Sequence, residues 1–222
     1  MDREFREKYH SVLERVEASR KKVSLHHIVQ IVAVTKYVSE AEVLKLLSIG
    51  QRAIGESRVQ ELENKLSSLE KEPIEWHFIG NLQKNKINKF LELKPSLFHG
   101  LDSIELAEAL QTRLEKRGEN LNALLQINSS KEPQKSGVSP EKAIDTYDEI
   151  SDRFPNIKLN GVMSIGKNSQ NSDEVRKSFA ETRNIFDKLQ SAETLSMGMS
   201  GDFEIAIEEG ANLLRLGSIL TK

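Results

Sequence analysis

Residues 28–36 read IVQIVAVTK, and the fold follows from this stretch. Seven residues, Ile28 to Val34, form a short, β-branched, nearly continuous apolar run. Antiparallel strands with one wet face alternate polar and apolar side chains, whereas a strand apolar throughout is buried on both faces, as in a parallel sheet. Parallel neighbours need a crossover, usually a helix. Both sides of the run supply one. Upstream, residues 2–20 space Phe5, Tyr9, Val12 and Val16 as one helical face. Downstream, Ser39 caps a helix to about Ile49, and Gly50 stops it.

The alternation repeats to the end of the chain. Strands are expected at Ala53-Ile54, Glu75–Ile79, Leu97–His99, Leu121–Ile127, Lys158–Met163, Thr194–Met197 and Ala211–Leu216. Helices are expected at about 56–70, 84–91, 103–116, 140–151, 173–189 and 202–209. Strand–helix alternation forces parallel pairing with right-handed crossovers. Eight such units predict a closed, single-domain (β/α)8 TIM barrel over residues 1–222, with an extra N-terminal helix. No GxGxxG follows the first strand, which argues against a dinucleotide fold. In a barrel, chemistry sits at the carboxyl ends of the strands.

Composition narrows the function. Lysine plus arginine (32) nearly balances aspartate plus glutamate (34), for a formal charge of -2. Nothing in that balance favours nucleic acid or an anionic membrane as partner. The absence of cysteine excludes disulfides and thiolate metal sites and suits a reducing cytosol. The first 22 residues lack a signal-peptide core, and no apolar run reaches membrane-spanning length. A cytoplasmic location is the expectation.

At the expected barrel mouth, Lys36 directly follows the first strand. Partial desolvation there would favour its free amine as a nucleophile. Strand seven runs into Ser196-Met197-Gly198-Met199-Ser200-Gly201-Asp202, and strand eight into Arg215-Leu216-Gly217-Ser218. The loops after strands seven and eight are the usual phosphate site of this barrel, and small residues there expose backbone N–H groups. An amine facing a phosphate rim suits a phosphorylated aldehyde.

The segments carrying Lys36, 50–56, 75–86 (EWHFIGNLQKNK), 135–137, 159–163, 195–200 (LSMGMS) and 215–217 together resemble the YggS/PROSC family of pyridoxal phosphate homeostasis proteins. That family shares its barrel with the N-terminal domain of alanine racemase, a fold-type III architecture. The resemblance implies pyridoxal 5'-phosphate (PLP) as cofactor, carried on Lys36 as an internal aldimine. It further implies a phosphate held by Ser200, Gly217 and Ser218, and Arg215 facing the pyridine nitrogen. A guanidinium cannot take up the ring's proton, so such a cofactor is a weak electron sink. Ser57 stands where the family usually has Asn, and Ser218 where Thr is more usual. His77 is expected to pack in the barrel or line the cofactor pocket.

Three functions follow from different chemistry. The preferred one is a PLP carrier acting in vitamin B6 homeostasis, with PLP-dependent apo-enzymes as recipients and little or no turnover. A PLP-dependent amino-acid racemase is the alternative, but racemisation needs a second proton-transfer group, which the racemases deliver through another domain. Only four residues follow Ser218, and none of that length forms such a domain. A cofactor-free Schiff-base aldolase uses the lysine and the phosphate loops but leaves Arg215 without a role. A monomer is expected. His26-His27 lacks a carboxylate partner for a metal, Lys84, Lys86 and Lys89 read as a solvated helix face, and Glu56 and Glu75 read as structural ion pairs.

Overall fold

The first strand, β1 (Gln30–Val34), lies between β2 (Ala53–Glu56) and β8 (Leu213–Leu216), parallel to both. That double pairing closes the sheet. In the computed structural model, which describes residues 3–221, the other strands are β3 (Glu75–Phe78), β4 (Leu97–Leu101), β5 (Leu121–Ile127), β6 (Ile157–Ser164) and β7 (Thr194–Ser196). They pair in sequence order into a closed parallel barrel. Helices α1 (Arg3–Val23), α2 (Glu40–Ser48), α3 (Val59–Ser68), α4 (Ile87–Glu92), α5 (Ile104–Arg117), α6 (Ala143–Arg153), α7 (Ser172–Phe186), α8 (Phe203–Glu208) and α9 (Ser218–Thr221) cover it. The architecture is the expected TIM barrel with an N-terminal helix. Asp2, where that helix was expected to begin, and Lys222 lie outside the described residues.

Local chemistry explains the element ends. Ser39 accepts from the Glu42 N–H while Glu42 accepts from the Ser39 N–H, a capping box that starts α2. Ser103 caps α5, its side chain accepting from the Leu106 N–H. Gly118 ends α5 with φ +62°, a left-handed conformation that glycine adopts without strain. Helix α1 buries Tyr9, Val12 and Val16 and is held to α8 by Arg15–Glu204 and Lys22–Glu208 ion pairs.

Several boundaries differ from the sequence expectation. Strand β1 starts at Gln30, whose N–H donates to the Asn212 carbonyl. Ile28 precedes that pairing and is 74% exposed. Strand β2 continues to Glu56 because Gly55 and Glu56 pair with His77 and Phe78, so α3 begins only at Val59. The basic helix is a 3₁₀ turn at Lys84–Lys86 followed by α4.

Two faces of the sheet make two cores. Val32, Leu97, Leu124, Met163 and Leu213 fill the barrel. Outward residues such as Ala33, Ile54, Phe78, Phe98 and Leu214 pack beneath the helices. With side chains alternating along each strand, this parity assigns Gly55, His77, His99, Ser196 and Arg215 to the interior. Among the described residues, no helix is long and apolar enough to cross a membrane.

Candidate functional site

Register sets the site. Val32 of β1 is the partner of Arg215 on β8, and Ala33 that of Leu216. Gly217 therefore comes level with Val34, and a Cβ at Gly217 would meet the Val34 Cβ at 3.5 Å. Alternation puts Lys36 on the side of Val32 and Val34, four residues beyond Val32. Strand β1 ends at Val34, so Lys36 stands in the turn just beyond the sheet, higher in the mouth than Arg215, which pairs with Val32. Sequence position thus becomes depth: Arg215 lies low in the carboxyl-end mouth, Gly217 above it, and Lys36 at the lip.

Lys36 itself is exposed, with Nζ 5.1 Å from the centroid of the Tyr37 ring. The partial desolvation expected at the strand end is not found. Thr35 makes the last pairing, to the Gly55 carbonyl, and the Val38 N–H then turns back to the Thr35 carbonyl, so the chain leaves the sheet beneath Lys36. Thr35, by contrast, is fully buried on the outer face. Its Oγ1 donates to Glu56 Oε1 (2.6 Å), and Lys65 Nζ reaches both that carboxylate (2.6 Å) and the Thr35 carbonyl (2.5 Å). This buried cluster fixes the strand end that carries Lys36. Glu56 is the structural ion pair expected from the sequence.

The loops after β7 and β8 meet at Ser200. Its Oγ accepts from the backbone N–H groups of Gly217 (3.2 Å) and Ile219 (3.3 Å). Gly198 has φ +90°, and a Cβ there would lie 2.7 Å from Ala206 Cβ, so the turn and its close approach to α8 require glycine. The Gly198 carbonyl accepts from the Arg215 N–H (3.0 Å), and Asp202 Oδ1 accepts from the Met199 N–H (2.6 Å). Burial raises the Asp202 carboxyl above its usual range, against the pull of that N–H and of Arg215. Ser218 is exposed and opens α9.

Arg215 is 4% exposed. Its Nη1 donates to Ser196 Oγ (2.5 Å) and Nη2 to the Ser164 carbonyl (2.9 Å). Both acceptors are neutral, and burial lowers the guanidinium to about 10. A buried cation whose hydrogen-bond acceptors are both neutral, with Asp202 acting on it only at longer range, remains available to an electron-rich ligand atom.

His77 does not line this mouth. It sits lower in the barrel, with Nδ1 2.9 Å from His99 Nε2 and Nε2 3.1 Å from Glu75 Oε1. Glu75 and His77 instead border a cavity of about 440 Å³ with Gln30, Leu97 and Leu213, residues at the amino ends of their strands. Of the two roles expected, barrel packing is met and pocket lining is not: Glu75 opens β3, so His77, two residues on, is still near its amino end. Ser196 and His99, which separate His77 from Arg215, were not singled out by the sequence. The only signal for them is strand parity.

Ser57 follows β2 at the correct mouth, with its carbonyl against Gly80 after β3. Asn81 Nδ2 donates to Ser136 Oγ (2.9 Å), and Gln126 Nε2 to the Ser136 carbonyl (2.8 Å), tying the long loop after β5 to the rim. Lys135 Nζ donates to the Gly166 carbonyl (2.8 Å). Both lysine and glycine border a cavity of about 710 Å³ with Met199, Gly201 and Asp202. Elsewhere, His27 Nε2 contacts the Ala211 carbonyl and Lys89 pairs with Glu63. Among the described residues no group of three metal-ligating side chains occurs.

The family described as "Alanine racemase, N-terminal domain" matches residues 10–222. A protein of Helicobacter pylori named "Pyridoxal phosphate homeostasis protein" is 49% identical over 219 residues, 99% of each chain. A human protein of the same name is 36% identical over 212 residues, 86% of this chain and 75% of its own. PipY of Synechococcus elongatus, solved with PLP bound, superposes with a TM-score of 0.81 at 31% identity, covering 94% of this chain and 99% of that one.

Proposed function

Because the chain belongs to the alanine racemase N-terminal-domain family, we propose that it binds PLP at the carboxyl-end mouth of its barrel. Its role on this reading is homeostasis of the cofactor, with little or no turnover of amino acids. The whole chain, residues 1–222, acts as one PLP-holding unit.

The observation that carries the reading is the β8–β1 seam, where Val32 pairs with Arg215 and Ala33 with Leu216, with Gly217 just beyond β8 and Lys36 just beyond β1. It offers a buried cation, a rim of amides and hydroxyl, and a primary amine, in that order of height. This donor set fits the three functional parts of PLP. When bound, PLP supplies an aldehyde that condenses with a primary amine and a pyridine ring that can withdraw electrons. Lys36 provides the amine. Ser200 with the backbone of Gly217 and Ser218 holds the phosphate, and Ser57 adds a polar contact at the β2 side. Arg215 faces the ring nitrogen. All its hydrogens are donors and it has no acceptor site, so it leaves that nitrogen unprotonated and withholds the electron-sink character that racemisation needs. Exposure of Lys36 keeps water at the amine, which favours exchange over sequestered chemistry.

The partners on this reading are PLP and the apo-enzymes that accept it, the setting is the cytoplasm, and the protein acts as a monomer without nucleic acid.

The test is spectroscopic. Purified protein titrated with PLP is expected to gain the near-ultraviolet to visible absorption of the lysine-bound cofactor, and Lys36→Ala to lose it. A protein that takes up no PLP overturns the proposal. Chiral analysis of alanine and serine after prolonged incubation tests the low-turnover part, which substantial Lys36-dependent racemisation would overturn.

A further inference from the structure

Four side chains form a continuous path below Arg215. Arg215 Nη1 contacts Ser196 Oγ, Ser196 Oγ contacts His99 Nδ1 (3.3 Å), His99 Nε2 contacts His77 Nδ1 (2.9 Å), and His77 Nε2 contacts Glu75 Oε1 (3.1 Å). Ser196, His77 and His99 are all buried, at 0, 3 and 0%. The Glu75 side chain is 56% exposed at the opposite mouth.

The two ends of the path favour one direction for its hydrogens. A guanidinium only donates, so Ser196 Oγ accepts from Arg215 and keeps its own hydrogen for His99 Nδ1 in the arrangement where every polar atom is paired once. His99 is then an acceptor at Nδ1 and a donor at Nε2. His77 repeats that assignment, accepting at Nδ1 and donating from Nε2 to a carboxylate that can only accept. The ends thus match: a pure donor at one mouth, a pure acceptor at the other, and two imidazoles that can take the same tautomer between. The charges agree. Burial, with His77 and Arg215 nearby, drives His99 well below the usual histidine range, so it stays neutral. The His77 hydrogen bond holds the Glu75 carboxyl below its usual range, so it stays ionised. Hydrogen bonds aligned in one direction polarise and strengthen one another in a dry interior.

We propose that Glu75, His77, His99 and Ser196 are a single polarised chain that orients the Arg215 guanidinium, making Glu75 a long-range positioning residue for the cofactor's ring contact. This rests on the PLP reading only for the ring contact. The chain itself belongs to the protein.

Nuclear magnetic resonance of ¹⁵N-histidine-labelled, PLP-loaded protein reads the tautomers, with His99→Gln supplying the assignment. Both His77 and His99 are expected as neutral Nε2–H forms. Glu75→Leu, at a half-exposed site, is expected to unpin the His77 tautomer and to speed PLP release about three- to tenfold, the worth of one lost hydrogen bond. Glu75→Gln retains an acceptor oxygen and is expected to restore both readouts. An Nδ1–H ring in the unmutated protein overturns the proposal, as does a Glu75→Leu protein with unchanged tautomers or unchanged release. If the protein took up no PLP, the function proposed above would fail, while the tautomers would still decide the direction of the chain.

Discussion

Lys65 Nζ lies 2.6 Å from Glu56 Oε1, with the two side chains 7% and 0% exposed, so the strand end that carries Lys36 is fastened by an ion pair almost without water. Glu56 Oε2 has no hydrogen-bond partner among the described residues, which leaves Lys65 as the main compensation for a buried charge. Lys65→Met is expected to cost about 3–5 kcal/mol, because it strands that carboxylate. The double variant Lys65→Met with Glu56→Leu is expected to recover most of the loss. Urea denaturation of the three proteins checks both.

A Cβ on Gly80 would lie 2.0 Å from the Ser57 carbonyl oxygen and 2.7 Å from its carbon. Both are backbone atoms, so relief requires the loop after β2 to move. Gly80→Ala is expected to destabilise the protein by about 2–3 kcal/mol and to weaken PLP binding by displacing Ser57. Thermal unfolding and a PLP titration on the same variant read the two effects.

Ser200 contributes one oxygen to two loops. Ser200→Ala removes that acceptor and the hydroxyl proposed to meet the phosphate. The expectation is about 1 kcal/mol of stability lost and PLP affinity down about tenfold or more, since hydrogen bonds to charged groups are the stronger class. Equilibrium dialysis measures the affinity. The absorption of the lysine-bound cofactor at saturating PLP is expected to persist, because Lys36 is untouched.

His99 gives the fold a pH dependence with a definite sign. Its folded value lies well below the usual 6.5 because of burial, then His77 and Arg215. As pH falls below about 6.5, the unfolded chain binds a proton that the folded one refuses. Stability therefore falls with pH in that window, with a slope approaching 1.4 kcal/mol per pH unit for one proton, until the depressed folded value is reached. His99→Gln is expected to remove this component. Stability measured by denaturant titration from pH 7 to pH 4.5, compared between the two proteins, checks the difference in slope.

The strands were legible because apolar runs such as Leu121–Ile127 are buried on both faces, and β5 has those bounds. The extension of β2 to Glu56 was not, since Gly55 has no strand preference and pairs only because His77 and Phe78 lie beside it. Ser200 and Gly217, which meet by a hydrogen bond, were legible as neighbours because barrel topology gathers strand ends at one mouth. His77 packs in the barrel, one of the two places expected for it, and borders the amino-end cavity because distance along a short strand decides which mouth a side chain serves.

By itself, the amino-acid sequence determined the eight-unit alternation, the barrel and the residues that gather at its carboxyl mouth, because each depends on local patterning and on the short range of chain connectivity. Only the tertiary structure decided that Lys36 stands in water, that Glu56 is bound to Lys65, and that His77, His99 and Ser196 join in a line beneath Arg215. Those facts depend on side-chain parity and register between strands up to 97 residues apart, as Ser196 and His99 are, and no local pattern encodes which of two neighbouring side chains will meet.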